Sequence, residues 1–364
     1  MEKKKILIAD TFETIGGEEK VAFNIYKSLN RNKFDVRITG TERSKYFDVY
    51  EPDKGELVNF FVKGKFSFIK MFKFRQLVKR EKFDIINVHG YSAGFFVRLA
   101  CAGLKNVRII WTMHLKMTDI FNENNIKIFI ENVMNNNLFF TNDIVTVCED
   151  AANNLKHRKN KKTPMHVIYN GIDTNYYSKI EKNKNSDSLV LGFFSRLSVQ
   201  KDVSLLLKTM NEFQKENKKI KLIIAGDGEL KEQMLRFIQI HGLKNVEYIG
   251  FQKDVAQLFS KIDVCVLPTH TECMPMILLE SLSSGTPVIS SDVGGVSEII
   301  ENGKDGFVVP KESLRAFKEA IFRYYDHPSL IITHGKIGKK RMEDSFDQKL
   351  MVKNYEELFN GENK

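Results

Sequence analysis

Residues 263–282 read Asp263-Val-Cys-Val-Leu-Pro-Thr-His-Thr-Glu-Cys-Met-Pro-Met-Ile-Leu-Leu-Glu-Ser-Leu282. The opening run is short, apolar and β-branched, as in a strand buried on both faces, and the closing run has the apolar content of a buried helix. Pro275 suits the first turn of that helix, where its missing N–H would have had no partner anyway. Glu272 therefore falls in the loop between the two elements, and Glu280 lies more than a turn inside the helix. A strand, a short loop and a helix make one unit of a parallel α/β sheet, in which ligands gather at the carboxyl ends of the strands.

The same alternation runs outward in both directions. Strands are expected at Lys5–Ala9, Phe34–Thr39, Phe83–His89, Val107–Thr112, Asp143–Val147 and His166–Tyr169, and again at Leu189–Phe194, Lys221–Ala225, Val246–Gly250, Asp263–Leu267, Pro287–Ser290 and Gly306–Val309. The polar, Ser/Asn/Lys-rich run 179–188 between the two sets reads as a linker. A single core rarely grows past roughly 250–300 residues, and this chain has 364. The expectation is an α/β protein of two Rossmann-like domains facing each other across a cleft, residues 1–182 and 183–341, with a closing helix near 342–360 packing back on the first.

With 42% hydrophobic residues, 28 Phe and 11 Tyr, the composition excludes a disordered chain. The four cysteines form no C-x-x-C pair and the first residues run straight into a strand, so neither a disulfide framework nor a leader is expected. No apolar run approaches the ~18 residues of a membrane span. The expected location is cytoplasmic, or peripheral at the inner face of the plasma membrane. The formal net charge of +10 is unevenly placed: residues 1–185 carry 32 basic and 21 acidic groups, whereas residues 186–364 carry 24 and 25. Such asymmetry reports a partner rather than a fold.

Other strand ends carry distinctive residues. After the first strand, Gly16 and Gly17 precede a helical run, and paired glycines let backbone amides approach an anion; a plain turn is the simpler alternative. After Leu189–Phe194 come Arg196, Lys201 and Asp202. A guanidinium fork and a mobile ammonium suit a diphosphate at a helix start, with Asp202 as its N-cap. Glu280, among Ile277, Leu278, Leu279 and Leu282, needs a partner, either sugar hydroxyls or a neighbouring cation. Gly294 and Gly295 open another helix, and Glu298 serves that helix terminus.

Glu272 and Glu280, with seven residues between them, form an E-x7-E pattern, and here the chain resembles the retaining glycosyltransferases of family 4 (glycosyl transferases group 1), which have the GT-B fold. Further stretches agree in the family's order: Gly16-Gly-Glu-Glu19, Thr112-Met-His114, Val167-Ile-Tyr-Asn-Gly-Ile-Asp173, Arg196 with Lys201, Ala225-Gly-Asp-Gly228, Tyr248-Ile-Gly250 and Val293-Gly-Gly-Val-Ser-Glu298. Ser345–Leu358 is similar to the family's last helix. The resemblance implies transfer of a sugar from a nucleoside diphosphate, UDP favoured, to a hydroxyl of a glycan or lipid-linked acceptor in cell-surface polysaccharide or glycolipid synthesis. It implies that Arg196 and Lys201 hold the diphosphate, Glu280 the ribose and Glu272 the donor sugar. Gly16, Gly17, Met276, Ile277 and Leu278 line the donor, and His114 lies at the reacting sugar. The catalytic set is then Glu272, His114, Arg196 and Lys201. Cys273 departs from the family's usual glycine and would narrow the sugar pocket.

No D-x-D or H-E-x-x-H occurs, so no metal or cofactor is expected beyond the nucleotide-sugar co-substrate. In residues 63–82, Met71, Phe74, Leu77 and Val78 make a core-facing stripe, while Phe68, Ile69 and Phe72 alternate with Lys70, Lys73 and Arg75. That pattern suits an anionic membrane surface, or else loops cover the aromatics. His89, Lys70, Lys73 and Arg75 are the acceptor-side candidates, with a structural hydrogen bond the alternative for His89. His157, His241, His327 and His334 are expected in polar surroundings, and the cysteines as small buried hydrophobes. A non-catalytic nucleotide-sugar-binding protein and a nucleic-acid-binding protein are the alternatives, the latter disfavoured because stacking platforms need exposed aromatic strands.

Overall fold

The computed structural model describes residues 3–41, 44–48, 50–53, 55–60, 68–114, 140–155, 163–182 and 187–362. The chain forms two compact units, one of residues 1–170 with 349–364 and one of residues 171–348.

The first unit is built on a seven-stranded parallel sheet in the order β3-β2-β1-β4-β5-β6-β7. Its strands are β1 (Lys4–Ala9), β2 (Phe34–Gly40), β3 (Leu57–Asn59), β4 (Ile85–His89), β5 (Arg108–Met113), β6 (Asp143–Thr146) and β7 (Met165–Val167). The central strands are apolar runs with nearly every residue buried, which the helices on both faces require. β1 pairs with β2 on one side and β4 on the other, so the strand order reverses between β1 and β4. Helix Gln348–Asn360 joins this unit far from it in sequence: Lys4 Nζ donates to Phe359 O at 3.0 Å and Arg108 Nη1 to Leu358 O at 2.8 Å.

The second unit has a six-stranded parallel sheet, β10-β9-β8-β11-β12-β13. Its strands are β8 (Leu189–Phe194), β9 (Ile220–Ala225), β10 (Val246–Tyr248), β11 (Val264–Leu267), β12 (Val288–Ser291) and β13 (Gly306–Val309). The order reverses between β8 and β11. Both units thus have the doubly wound topology read from the sequence.

One expectation is corrected. The first sheet has a seventh strand, β3, which holds only the edge beside β2; it is three residues long and Leu57 is exposed, so no periodicity marks it. Within the run read as a linker, Lys182 donates to Phe259 O at 2.8 Å and to Thr286 Oγ1, both in the second unit. Its ammonium thus meets a carbonyl of the 3-10 turn Ala256–Lys261 and a loop hydroxyl, which composition does not reveal. Among the described residues no helix is long and apolar enough to cross a membrane.

Candidate active site

In the second unit the residues after β8 and β11 meet at the reversal point, the place where open α/β sheets generally receive ligands. Lys201 Nζ is hydrogen-bonded to Glu272 Oε1, which also accepts from Thr269 Oγ1 at 3.2 Å. Gln200 stitches the two loops: its carbonyl accepts from His270 N at 2.9 Å and Thr269 Oγ1 at 3.0 Å, and its amide donates to Thr271 O at 2.7 Å. Asp202 sits at φ +35° and caps helix Val203–Lys215 by accepting from Leu205 N at 3.2 Å. A non-glycine residue in that region is uncommon, though Asp tolerates it better than most. Arg196 is exposed on the same loop.

Glycines let these loops approach. A Cβ on Gly226 would lie 1.9 Å from Ser195 O, one on Gly228 2.3 Å from Leu197 O, and one on Gly294 1.7 Å from Glu272 O. Gly295 N also donates to Cys273 O at 2.9 Å. The positions of Arg196 and Glu272 therefore depend on glycines that touch only backbone.

Glu280 is buried in helix Met276–Ser283, whose N-cap Pro275 gives no side-chain cap. The first-turn amides of Met276 and Ile277 have no intrahelical partner and offer donors to an anion. The side chain of Leu278 is wholly in the core. Cys273 is likewise buried, with 2% of its surface exposed.

In the first unit, Gly16 caps and Gly17 begins helix Gly17–Ser28. Around them gathers an acidic group that the sequence did not announce. Asp10, directly after β1, is 1% exposed. Burial, reinforced by Glu18 and Glu19, raises its pKa well above the ordinary carboxylate range. Glu18 is pushed up to about 8 by burial and by Glu19. Its carboxyl occupies the space a Cβ on Gly90 would take, 1.9 Å from Oε1. Glu19 accepts from Thr14 Oγ1.

His114, after β5, and His89, ending β4, are brought together, with His89 Nδ1 3.0 Å from His114 Nε2 and the rings stacked at 5.3 Å. Burial pushes His114 down to about 3 and His89 well below its usual value, so both are neutral near pH 7. His89 has no exposed surface and both its ring nitrogens are taken by His114 and Asn87, the structural hydrogen bonding that was the alternative to an acceptor contact. Arg75 donates to Ala100 O and Ala102 O at 3.3 and 2.6 Å, closing the end of helix Tyr91–Ala100. Lys70 and Lys73 are exposed on helix Phe68–Glu81, as are Phe68, Ile69 and Phe72, while Met71, Phe74 and Val78 face the core. Residues 63–67 and His157 lie outside the described residues. His334 is not a surface residue: it is buried and bonded to Tyr324 Oη at 2.9 Å. All four cysteines are buried.

The family model for "Glycosyltransferase Family 4" matches residues 15–176, and that for "Glycosyl transferases group 1" matches residues 178–341. The chain is 24% identical over 361 residues to the UDP-Gal:alpha-D-GlcNAc-diphosphoundecaprenol alpha-1,3-galactosyltransferase of Escherichia coli, covering 91% of this chain and 90% of that one. It is 25% identical over 230 residues to the capsular polysaccharide biosynthesis glycosyltransferase CapM of Staphylococcus aureus, covering 63% and 58%. The structure of Anabaena HepE in complex with UDP-glucose is similar with a TM-score of 0.83 at 20% identity, over 98% of this chain and 99% of that one. Each sheet-bearing half is matched by one of the two models, and the architecture is that of GT-B proteins; this chain therefore belongs to the family 4, group 1 glycosyltransferases and is an enzyme of glycosyl transfer.

Proposed function

We propose that this protein moves a sugar, with retention at the anomeric carbon, from a UDP-sugar to a hydroxyl of a glycan or lipid-linked acceptor in cell-surface polysaccharide or glycolipid synthesis. The observation that carries this reading is the pairing of Lys201 with the buried Glu272 where the second sheet reverses. The carboxylate keeps the ammonium in place until a donor arrives; the diphosphate then takes the cation and the sugar hydroxyls take the carboxylate. Arg196 and the first-turn amides of helix Met276–Ser283 add positive potential where the leaving diphosphate gains charge, an effect strongest when the donors are already oriented. Glu280 holds the ribose and His114 contacts the donor sugar, as the family resemblance implies. The departing phosphate itself serves as base for attack from the same face. The reading assigns no metal or other cofactor.

The UDP-sugar preference is supported by the relative named for UDP-Gal and by the HepE complex with UDP-glucose. The lipid-linked acceptor is supported by the diphosphoundecaprenol in that relative's name and by the apolar, basic outer face of helix Phe68–Glu81, which suits an anionic membrane. The test is a panel of UDP-, GDP- and ADP-sugars scored by thermal stabilisation, since a donor at a hundred times its Kd adds about 2.7 kcal/mol. A shift with UDP-sugars, followed by UDP release when acceptor is added, is expected. No shift with any nucleotide sugar would sink the reading.

A further inference from the structure

His89 is buried, ionisable and unused by the reaction as described, yet it stands directly behind His114. The hydrogen bonds around it fix which nitrogen carries each proton. Asn87, on β4, points one amide atom at Ile110 O, 3.4 Å away, and at Thr112 Oγ1, 2.9 Å away. A backbone carbonyl only accepts, so that atom is the amide nitrogen, and Asn87 Oδ1 is left facing His89 Nε2 at 2.9 Å. Oδ1 only accepts, so His89 Nε2 carries the hydrogen. A neutral imidazole has one N–H, which leaves His89 Nδ1 as an acceptor, and the atom facing it, His114 Nε2, must then be the donor. Thr112 accepts from Asn87 and lies 3.3 Å from Tyr355 Oη, so the far end is held by helix Gln348–Asn360.

We propose that Asn87 and His89 are positioning residues that hold His114 as its Nε2–H tautomer, leaving His114 Nδ1 unprotonated to accept a hydrogen bond from a hydroxyl of the reacting sugar. The proposal rests on the reading of His114 as a sugar-contacting residue. It adds a direction: His114 receives a hydroxyl hydrogen and does not act as the acid that protonates the leaving group. The relay holds only while His89 is neutral. Burial keeps it so, and the electrostatic neighbour that acts on it is His114, whose proximity opposes charging.

The experiment is long-range 1H–15N correlation on the full chain with 15N-labelled histidine at pH 7, with the His114 signals assigned from their loss in His114→Gln. A protonated Nε2 and an unprotonated Nδ1 are expected for His114; a protonated Nδ1, or shifts averaged between tautomers, overturns the relay. Asn87→Asp keeps the shape but places a carboxylate behind His89. It should protonate His89, reverse the tautomer of His114 and lower kcat roughly tenfold or more with little change in donor KM. An unchanged tautomer or unchanged kcat in a folded Asn87→Asp protein overturns the proposal. The wild-type spectrum decides the relay whether or not transfer is detected, whereas absence of transfer with every donor would count against the functional reading alone.

Discussion

Lys201 and Glu272 are side chains whose places at strand ends were legible in the sequence, because each follows a strand within a few residues and the E-x7-E spacing flags the second. Removing one preorganised positive group at a leaving diphosphate costs ~10²–10³ in kcat. Lys201→Ala should lose that much UDP release, and near-wild-type turnover would refute its role. The change also strands a buried carboxylate, so the variant's fold is checked by melting before its rate is read. Asp10, Glu18, Asn87 and His89 were harder to read as a group. They lie on segments far apart in sequence, and only the pairing of β1 with β4 and of β4 with β5 brings them together. Glu18 gives a prediction with a definite sign. Its folded pKa of about 8 exceeds its ordinary 4.5, so the native state binds more protons and stability falls as pH rises between those values. Glu18→Gln should flatten that fall and melt higher than wild type at pH 9. Equal melting temperatures at pH 9 would show the carboxyl to be unperturbed. His114, depressed to about 3, has the opposite sign: its contribution is lost as pH falls below about 6.5.

At the scale of elements, helix Val203–Lys215 begins with an aspartate that must do two things, accept from Leu205 N and adopt a positive φ. Alanine does neither, and glycine restores only the backbone freedom. Asp202→Ala should therefore cost about 1–2 kcal/mol in denaturant unfolding and Asp202→Gly distinctly less; the reverse order would contradict the cap. Helix Phe68–Glu81 carries a different expectation. Phe68 and Phe72 are 76% and 61% exposed beside Lys70, Lys73, Lys79 and Arg80. Each basic residue near an anionic surface is worth ~1 kcal/mol. The protein should float with phosphatidylglycerol vesicles and not with neutral ones, and a Phe68→Ser/Phe72→Ser variant should lose most of that binding. Indifference to lipid charge would defeat the idea. The buried strands were legible because apolar runs of that length have few other uses. β3 was not, since an exposed edge of three residues lacks any pattern, nor was the packing of Lys182, since a lysine in a polar run looks solvated.

For the molecule as a whole, the doubly wound plan could be read from the alternation of strands and helices. The discontinuity of the first unit depends on residues 349–364, whose attachment is set by packing rather than by local pattern. Met351, Val352, Tyr355, Leu358 and Phe359 are all buried. At roughly 1.5–3 kcal/mol for each large apolar side chain, their loss rivals the whole stability of an ordinary domain. A chain ended after Gln348 should keep a cooperative melt for the second unit and lose that of the first, seen as protease-resistant fragments from residues 171–348 alone. Two intact transitions would show the helix to be dispensable. The same discontinuity bears on birth rather than stability. A ribosome adds about 5–20 residues per second, so the first sheet, once synthesised, waits on the order of ten to forty seconds while the second unit emerges and before its closing helix exists. Through that interval its apolar faces are without their last cover and are natural clients for a holding chaperone. The half of this molecule that is translated first is the half that is finished last.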